Sequence, residues 1–309
     1  MVADAARDCI MSATVIIASK AGRLGNRLIQ GAHFMGNSLS KGYRLLNPSL
    51  GEYAAHFQGS ACDPLCGFPE PWSSADPDFA SECRGIAYGS ALLAGITASF
   101  GIIPRVTAVD IRRFDESEEG QVDLNGDVFG KLLKSQKLIL PMGWKFWDHA
   151  GIKQHREEIV RYFTPVESVT KQAESAIRHA REYGEFVIGV HIRQEDYRFW
   201  KGGLHYYEAE CYARWMRRCM KIFFDRKPAF MICSSNRLEP EVFRGLPVVF
   251  GPGTTVGDLH ALSLCDHIMG PPSTFSMWSS YFGNTPLCML MNGQQALDAE
   301  NFRLHLGAV

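Results

Sequence analysis

The feature that most constrains this chain is a series of five short apolar segments after residue 185, separated by stretches of helical length. Phe186 to Ile192, Phe230 to Cys233, Val248 to Phe250, His267 to Met269 and Leu287 to Leu290 read as strands buried on both faces. Between them, about Tyr206 to Phe224, Leu238 to Arg244, Val256 to Cys265 and Thr274 to Phe282 have the spacing of helices. Strands that alternate with helices predict a parallel sheet covered on both faces.

The first half begins in the same way. An apolar, β-branched strand is expected at Thr14 to Ser19, then a turn over Lys20 to Asn26. A helix is expected from about Arg27 to Lys41, with Leu28, Ile29, Ala32, Met35 and Leu39 on one face. Gly42 ends it, and Tyr43 to Leu46 reads as the next strand. Residues 58 to 85 have loop chemistry and 86 to 98 look helical. Val106 to Ile111 and Leu138 to Leu140 read as strands. Two helices, near Gly151 to Phe163 and Val166 to Tyr183, are split by Thr164-Pro165. The expected fold is therefore α/β: two Rossmann-like lobes, 1–185 and 186–309, facing a central cleft. Ligands belong at the carboxyl ends of the strands.

Composition narrows the partners. The 309 residues are 46% hydrophobic and 21% charged, ordinary globular usage, with a formal net charge of −1. No global field draws the chain to nucleic acid or an anionic membrane. No stretch reaches membrane-spanning length, and the first residues lack a secretory pattern. The expectation is a soluble cytoplasmic protein, or one from the secretory lumen if the chain is trimmed. Nine scattered cysteines do not make a disulfide framework. Cys62, Cys66 and Cys83, with His56 upstream, match a zinc site poorly; a disulfide among the three fits better in an oxidising compartment. Asp123, Asn125 and Asp127, in the acidic segment 115–127, imitate the start of a calcium loop but lack its bidentate glutamate. No metal is expected.

Three segments carry chemistry. Gly22-Arg-Leu-Gly-Asn-Arg27 follows the first strand. Its glycines let the backbone turn tightly, and the helix after it offers N–H groups to an anion. His191-Ile-Arg-Gln-Glu-Asp196 ends a buried strand, with His191 and Arg193 on one face. Arg193 either pairs with Asp196 or Glu195, or serves as a fork-shaped cation for a phosphate. In the third segment Asp258 opens a helix, as a cap or as a carboxylate able to accept both N1–H and N2–H of a guanine. Ser273 and Thr274 open the next helix, as caps or as donors to a pyrophosphate. Trp144, Trp147, Tyr206 and Tyr207 either belong to the core or stack on a sugar, and Arg214, Arg217 and Arg218 read as a solvated face.

Taken in order, GRLGN, H-x-R-x-x-D and D-L-x8-H-x5-S-T-F resemble the fucosyltransferases that share an H-x-R motif. The similarity is greatest to the alpha-1,2 group, which also matches at His155 to Phe163, with features of the protein O-fucosyltransferases. The resemblance implies a GT-B fold and an inverting, metal-independent transfer of fucose from GDP-fucose to a hydroxyl of a glycan, peptide or small molecule. It implies that Arg193 binds the β-phosphate, His191 lies beside the nucleotide and Asp258 reads guanine. Ser273, Thr274 and Phe275 would hold diphosphate and ribose. Asn26, with Gly22, Gly25 and Arg23, would face the sugar and acceptor from the other lobe. Glu195 and Asp196 are the nearest carboxylates for a general base. Residues 1–185 would be the acceptor-side lobe and 186–309 the donor lobe. The chain departs from the alpha-1,2 pattern at Arg27, where glutamine is usual, at Gln194-Glu195, and at Pro272 and Met277. A transferase using another nucleotide sugar, and a nucleotide- or glycan-binding protein without catalysis, are the competing readings.

Overall fold

A computed structural model describes residues 13–101, 103–110, 121–143 and 145–305. Trp144 and residues 111–120, which include Ile111 of an expected strand and the first part of the acidic segment, lie outside the described residues. The chain divides into two compact units, Met1–Thr164 and Pro165–Val309.

The first unit is built on β1 (Thr14–Ile16), α1 (Leu24–Lys41), β2 (Arg44–Leu46), β3 (Gly67–Phe68), α2 (Pro77–Ala98) and β4 (Val106–Asp110). It continues through β5 (Val122–Asp123), α3 (Asp127–Ser135), β6 (Leu138–Met142), β7 (Phe146–Trp147), α4 (His149–Gln154) and α5 (Arg156–Tyr162). Its main sheet has the order β3-β2-β1-β6-β4, parallel except for β3, with β5 and β7 forming a separate pair. The expected strands and helices are present with moved ends, except that the helix expected near Gly151 to Phe163 is broken at His155 into α4 and α5. Helix α1 starts at Leu24 rather than Arg27, so Gly25 and Asn26 belong to its first turn. Helix α2 starts inside the expected loop. Asp76 caps it by accepting the amides of Asp78 and Phe79, and Pro77 occupies the first turn, where its missing N–H costs nothing.

The second unit holds α6 (Glu167–Arg181), β8 (Phe186–Ile192), α7 (Ala209–Ile222), β9 (Pro228–Ser234), β10 (Val248–Phe250), α8 (Thr255–Ser263), β11 (His267–Gly270), α9 (Thr274–Gly283) and β12 (Leu287–Met289). The helix expected over Leu238 to Arg244 is only a 3-10 turn, Pro240–Phe243. The sheet order is β10-β9-β8-β11-β12, with every pair parallel. In chain order this is 3-2-1-4-5, the doubly wound arrangement, with its switch point between β8 and β11.

All seven residues of β8 are buried, and their alternation builds two cores. Phe186, Ile188, Val190 and Ile192 pack with Tyr212, Met216 and Cys219 of α7. Val187 faces the other way, onto Ala173 and Ile177 of α6 and Ala261 and Leu262 of α8. This second packing explains why the chain divides after Thr164 rather than at residue 185: α6 lies on α8, β9 and β10 and belongs to the second sheet. The two Rossmann-like units have the α/β architecture of the GT-B class.

Candidate active site

In the second unit three loops leave the carboxyl ends of strands of one sheet, and each carries a residue singled out by the sequence. The loop after β8 carries Arg193. The guanidinium is held side-on by Asp196, with Nε donating to Oδ1 at 3.1 Å and Nη2 to Oδ2 at 2.8 Å. Nη1 is left for the opposite direction and donates to Ser273 Oγ at 3.3 Å. The ring of Tyr197 lies under the guanidinium at 4.8 Å, and its hydroxyl donates to the carbonyl of Pro272. Arg193 is thus fixed on three sides with one edge turned towards the first turn of α9. A bidentate partner and an aromatic face set its orientation before any ligand arrives.

The ion-pair reading of Arg193 is realised, and the pair gives Asp196 a specific position. It is the partner that orients Arg193. Glu195 is exposed and lies at the entrance to the short turn Asp196–Arg198.

The loop after β11 carries Ser273, which has extended backbone and caps α9 by accepting the amide of Phe275 at 3.3 Å. Thr274 is the first residue of that helix. Gly270, just before the loop, has no room for a side chain: a Cβ there would stand 2.9 Å from the His191 carbonyl oxygen. His191 is buried, with Nδ1 2.7 Å from Ser276 Oγ and its ring 4.9 Å from that of Phe275. Burial, with Arg193 adding to it, pushes the imidazole down to about 3. The side chain is neutral at physiological pH and packs as a polar wall beside the cation.

The loop after β10 leads into α8. Its cap position is Thr254, so Asp258 is not the cap that one sequence reading allowed. Asp258 sits one turn in, buried, and accepts the Gly253 amide through Oδ1 at 2.8 Å. Burial raises its carboxyl to about 6, and the Gly253 bond offsets only part of that. Oδ2 has no partner among the described residues. Two strand spacings separate this loop from that of Arg193, roughly 10 Å across the sheet.

In the first unit the Gly22–Arg27 segment forms the corner between β1 and α1. Gly22 has φ +59, a left-handed conformation that favours glycine, and Asn26 Nδ2 lies 2.5 Å from where a Cβ would stand. Arg23 occupies the cap position with extended backbone, Gly25 is buried in the first turn, and Asn26 is half-buried over Gly22. Arg27 is buried and ties the corner down. Nε donates to the Gly22 carbonyl at 3.1 Å, and Nη1 reaches the carbonyls of Ser49 and Leu50 and Glu52 Oε2. Partial burial pushes the Glu52 carboxyl up, but bonds from its own amide, Lys20 and Arg27 outweigh this and hold it at about 2. Arg27 is a structural clamp.

The remaining candidates sort by burial. Trp147 and Tyr207 belong to the core, with Tyr207 donating to the Leu290 carbonyl at 2.8 Å, whereas Tyr206 is half-exposed. Arg214, Arg217 and Arg218 lie on an exposed face as expected. Cys62, Cys66 and Cys83 are free thiols, with burial pushing Cys66 up to about 12. Asp123 accepts the Asn125 amide, and Asn125 donates to Asp148, so these groups close a turn. Among the described residues no cluster of His, Cys, Asp and Glu could hold a metal ion. Sequence reasoning passed over Tyr197 and Ser276. Each adjoins a residue already singled out, and only the geometry shows what they support.

The fold and this sheet-end site define a GT-B-type protein. No known protein-family profile matches the chain. It is 27% identical over 169 residues to galactoside alpha-(1,2)-fucosyltransferase 2 of Sus scrofa, covering 49% of this chain and 46% of that protein. It is 26% identical over 202 residues to galactoside alpha-(1,2)-fucosyltransferase 1 of Aotus azarae, covering 59% and 50%. The chain thus spans about half the length of the curated relatives it matches. Its fold is similar to a mutant of Arabidopsis thaliana FUT1 in complex with GDP, with TM-score 0.55, 14% identity and coverage of 90% of this chain and 70% of that one. It is also similar to NodZ alpha-1,6-fucosyltransferase soaked with GDP-fucose, with TM-score 0.52, 14% identity and coverage of 94% and 97%. The sequence similarity is thus to alpha-1,2-fucosyltransferases, and the fold is shared with solved fucosyltransferases. The same relatives correct the expectation of a cytoplasmic protein: they are enzymes of the secretory pathway, which points away from the cytoplasm. No helix among the described residues is long and apolar enough to cross a membrane.

Proposed function

We propose that this chain is a glycosyltransferase that moves fucose from GDP-fucose to an acceptor hydroxyl, with inversion at the anomeric carbon and without a metal ion. The observation that carries the reading is Arg193: a cation oriented by Asp196 and Tyr197, with its remaining edge turned to the capped N-terminus of α9. Negative charge grows on the β-phosphate as the bond to the sugar breaks. A preoriented guanidinium and the amides at a helix start stabilise that charge without reorganising. His191 is neutral and so adds no second charge. Phe275 covers it, and Thr274 opens the helix that receives the diphosphate. Asp258 takes the guanine edge, its carboxylate accepting from N1–H and N2–H. The transition state has oxocarbenium character, as in glycoside cleavage. Asn26, with Gly22, Arg23 and Gly25, serves the sugar and acceptor side. Asp196 orients Arg193, and the role of taking the acceptor proton falls to Glu195. The names of the relatives and the GDP and GDP-fucose complexes of similar fold support this reading.

The test is thermal stabilisation by GDP against UDP, ADP and CDP, with and without EDTA, followed by turnover of GDP-fucose by wild type and Arg193→Ala. The expected result is a GDP-selective shift unaffected by EDTA, and turnover that falls by roughly two to three orders of magnitude in a folded variant. A shift favouring another base discards the donor. GDP binding without turnover leaves a binding protein, and near-wild-type turnover by the variant removes Arg193 from the chemistry.

A further inference from the structure

Helix α2 is packed inside out. It lies on β4, β6 and the 3-10 segment Pro48–His56, and the residues it buries there are small: Ala80, Ala91, Gly95 and Ala98. Its large apolar residues point the other way, with Phe79 58% exposed, Ile86 73% and Leu93 65%, and Phe100 just beyond is 72% exposed. An ordinary surface helix has the reverse pattern, because burying a large apolar side chain gains more than burying a methyl group. The helix is not loosely held. Arg84 Nη2 donates to the carbonyls of Ser60, at 3.1 Å, and Ala61, and the Tyr88 hydroxyl accepts the Lys20 amide at 3.4 Å. The outer face is a fixed apolar surface.

Helix geometry makes that surface one stripe. Phe79, Ile86, Leu93 and Phe100 follow one another at two-turn steps, which keeps them within about 60° around the axis. Phe100 continues the last turn, its amide donating to the Thr97 carbonyl at 3.2 Å. Ile96, 45% exposed, widens the stripe on one side. On the same side a Cβ at Gly85 or Gly89 would meet nothing within 4 Å, so the backbone is open to close approach. The stripe is also symmetric. Phe79 and Phe100 stand equally far on either side of the Gly89-Ser90 step, and so do Ile86 and Leu93.

We propose that this face of α2 is the contact of a two-fold dimer of the chain, in which the α2 of a second copy crosses antiparallel at Gly89 and Ser90. With the axis at that step, Phe79 meets Phe100 of the second copy and Ile86 meets Leu93, and the reciprocal pairs follow. Asp78 and Glu82 then lie towards opposite ends of the contact, whereas a parallel pair would set each against its own copy. The area is sufficient. Taking about 200 Å² for a large side chain, the five exposed residues leave roughly 600 Å² in water. Two copies remove about 1,200 Å², the size at which specific interfaces become stable, before the glycine surface between them is counted. A lipid surface fits less well: Arg84 is the only basic residue of α2 and it is buried, so the stripe carries none of the cations that draw a helix to an anionic bilayer. The dimer does not depend on the transferase reading.

The experiment is sedimentation equilibrium across a wide range of protein concentration on wild type, Ile86→Glu and Leu93→Glu, with circular dichroism as the check on folding. Wild type is expected to be a dimer that dissociates on dilution. The variants change exposed side chains, so they should stay folded, and the dimer dissociation constant should rise at least about a hundredfold because each change enters the contact twice. On mild oxidation Ser90→Cys should give a disulfide-linked dimer beyond the wild-type background. Thr97→Cys should not, since antiparallel copies hold the two Thr97 positions roughly 20 Å apart. Wild type that stays monomeric throughout, or folded variants that dimerise as wild type does, overturns the proposal. Failure of Ser90→Cys to link overturns the crossing point, and linking of both cysteine variants shows a parallel pair and overturns the antiparallel contact. Monomeric wild type that co-sediments with liposomes of phosphatidylcholine and phosphatidylserine, when Ile86→Glu does not, assigns the stripe to a lipid surface instead. None of these outcomes changes with the result of the GDP test.

Discussion

Replacing Asp258 by asparagine is expected to make the ligand-free protein more stable at pH 8 while weakening its hold on guanine nucleotides. The carboxyl is raised by burial from 3.8 to about 6, so the native state binds its proton more tightly than the unfolded chain does. Between about pH 4 and pH 6 the folded protein carries the extra proton, and stability falls as pH rises through that window. Above about pH 6 the penalty is complete. A rise of this size corresponds to about 3 kcal/mol as an upper value. Asparagine carries no charge, fills the same space, and its Oδ1 still accepts the Gly253 amide, but it meets its own cost of burial. A net gain of about 1–2 kcal/mol remains, or roughly 3–6 °C in Tm. The assay is thermal unfolding of both proteins at pH 4 and pH 8, without ligand and then with GDP or UDP. The variant should melt higher at pH 8, and the difference should vanish at pH 4. GDP should stabilise it less than wild type, because the amide offers one acceptor and one donor where guanine presents two donors. A variant that melts at or below wild type at pH 8 would refute the burial argument, as would an equal advantage at pH 4. Equal losses for GDP and UDP would refute the guanine reading alone.

Other consequences can be measured separately. Ser273→Ala removes the cap of α9, at about 1 kcal/mol of stability, and one of the contacts of Arg193; transfer should fall about tenfold in wild type and not further in an Arg193→Ala background, where additive losses would count against coupling. Arg27→Ala leaves Glu52 to Lys20 alone and removes the donor of the Gly22, Ser49 and Leu50 carbonyls, and should cost about 2 kcal/mol in denaturant unfolding; a loss under about 0.5 kcal/mol would show that the clamp is dispensable. Burial holds His33 down at about 4 and His191 at about 3, so both stay neutral when the unfolded chain protonates below pH 6.5. Their contribution is present above that pH and is lost on acidification, against the opposite trend of Asp258; His33→Gln and His191→Gln should flatten the decline in Tm between about pH 6.5 and 4, and an unchanged slope would contradict this.

Much of the second unit is legible in the sequence because its physics is local. Strands buried on both faces must be continuously apolar, so the β8, β9 and β11 segments stand out by composition alone. Element ends are less visible where a cap decides them. Asp76 and Pro77 start α2 well inside a segment whose Pro, Ser and Asp content reads as loop. The change of pattern alone puts the unit boundary at residue 185, but a helix belongs to the sheet it packs on, and α6 packs on the second.

The site divides along the same line. The sequence by itself determined which groups stand at strand ends, because alternation puts His191 and Arg193 on one face and a turn with Gly22 must precede α1. It left Arg193, Asp258 and Ser273 two roles each. Tertiary structure shows what each of them touches in the folded chain, because that depends on distances between residues far apart in sequence. Arg193 reaches Ser273 across the contact of β8 with β11, and this makes Asp196 an orienting partner. Thr254 takes the cap of α8 and leaves Asp258 buried with an unshared oxygen. The exposure of Phe79 and Ile86 also belongs to the structure alone: an apolar residue type predicts burial, and only the packed chain reveals which ones were left in water.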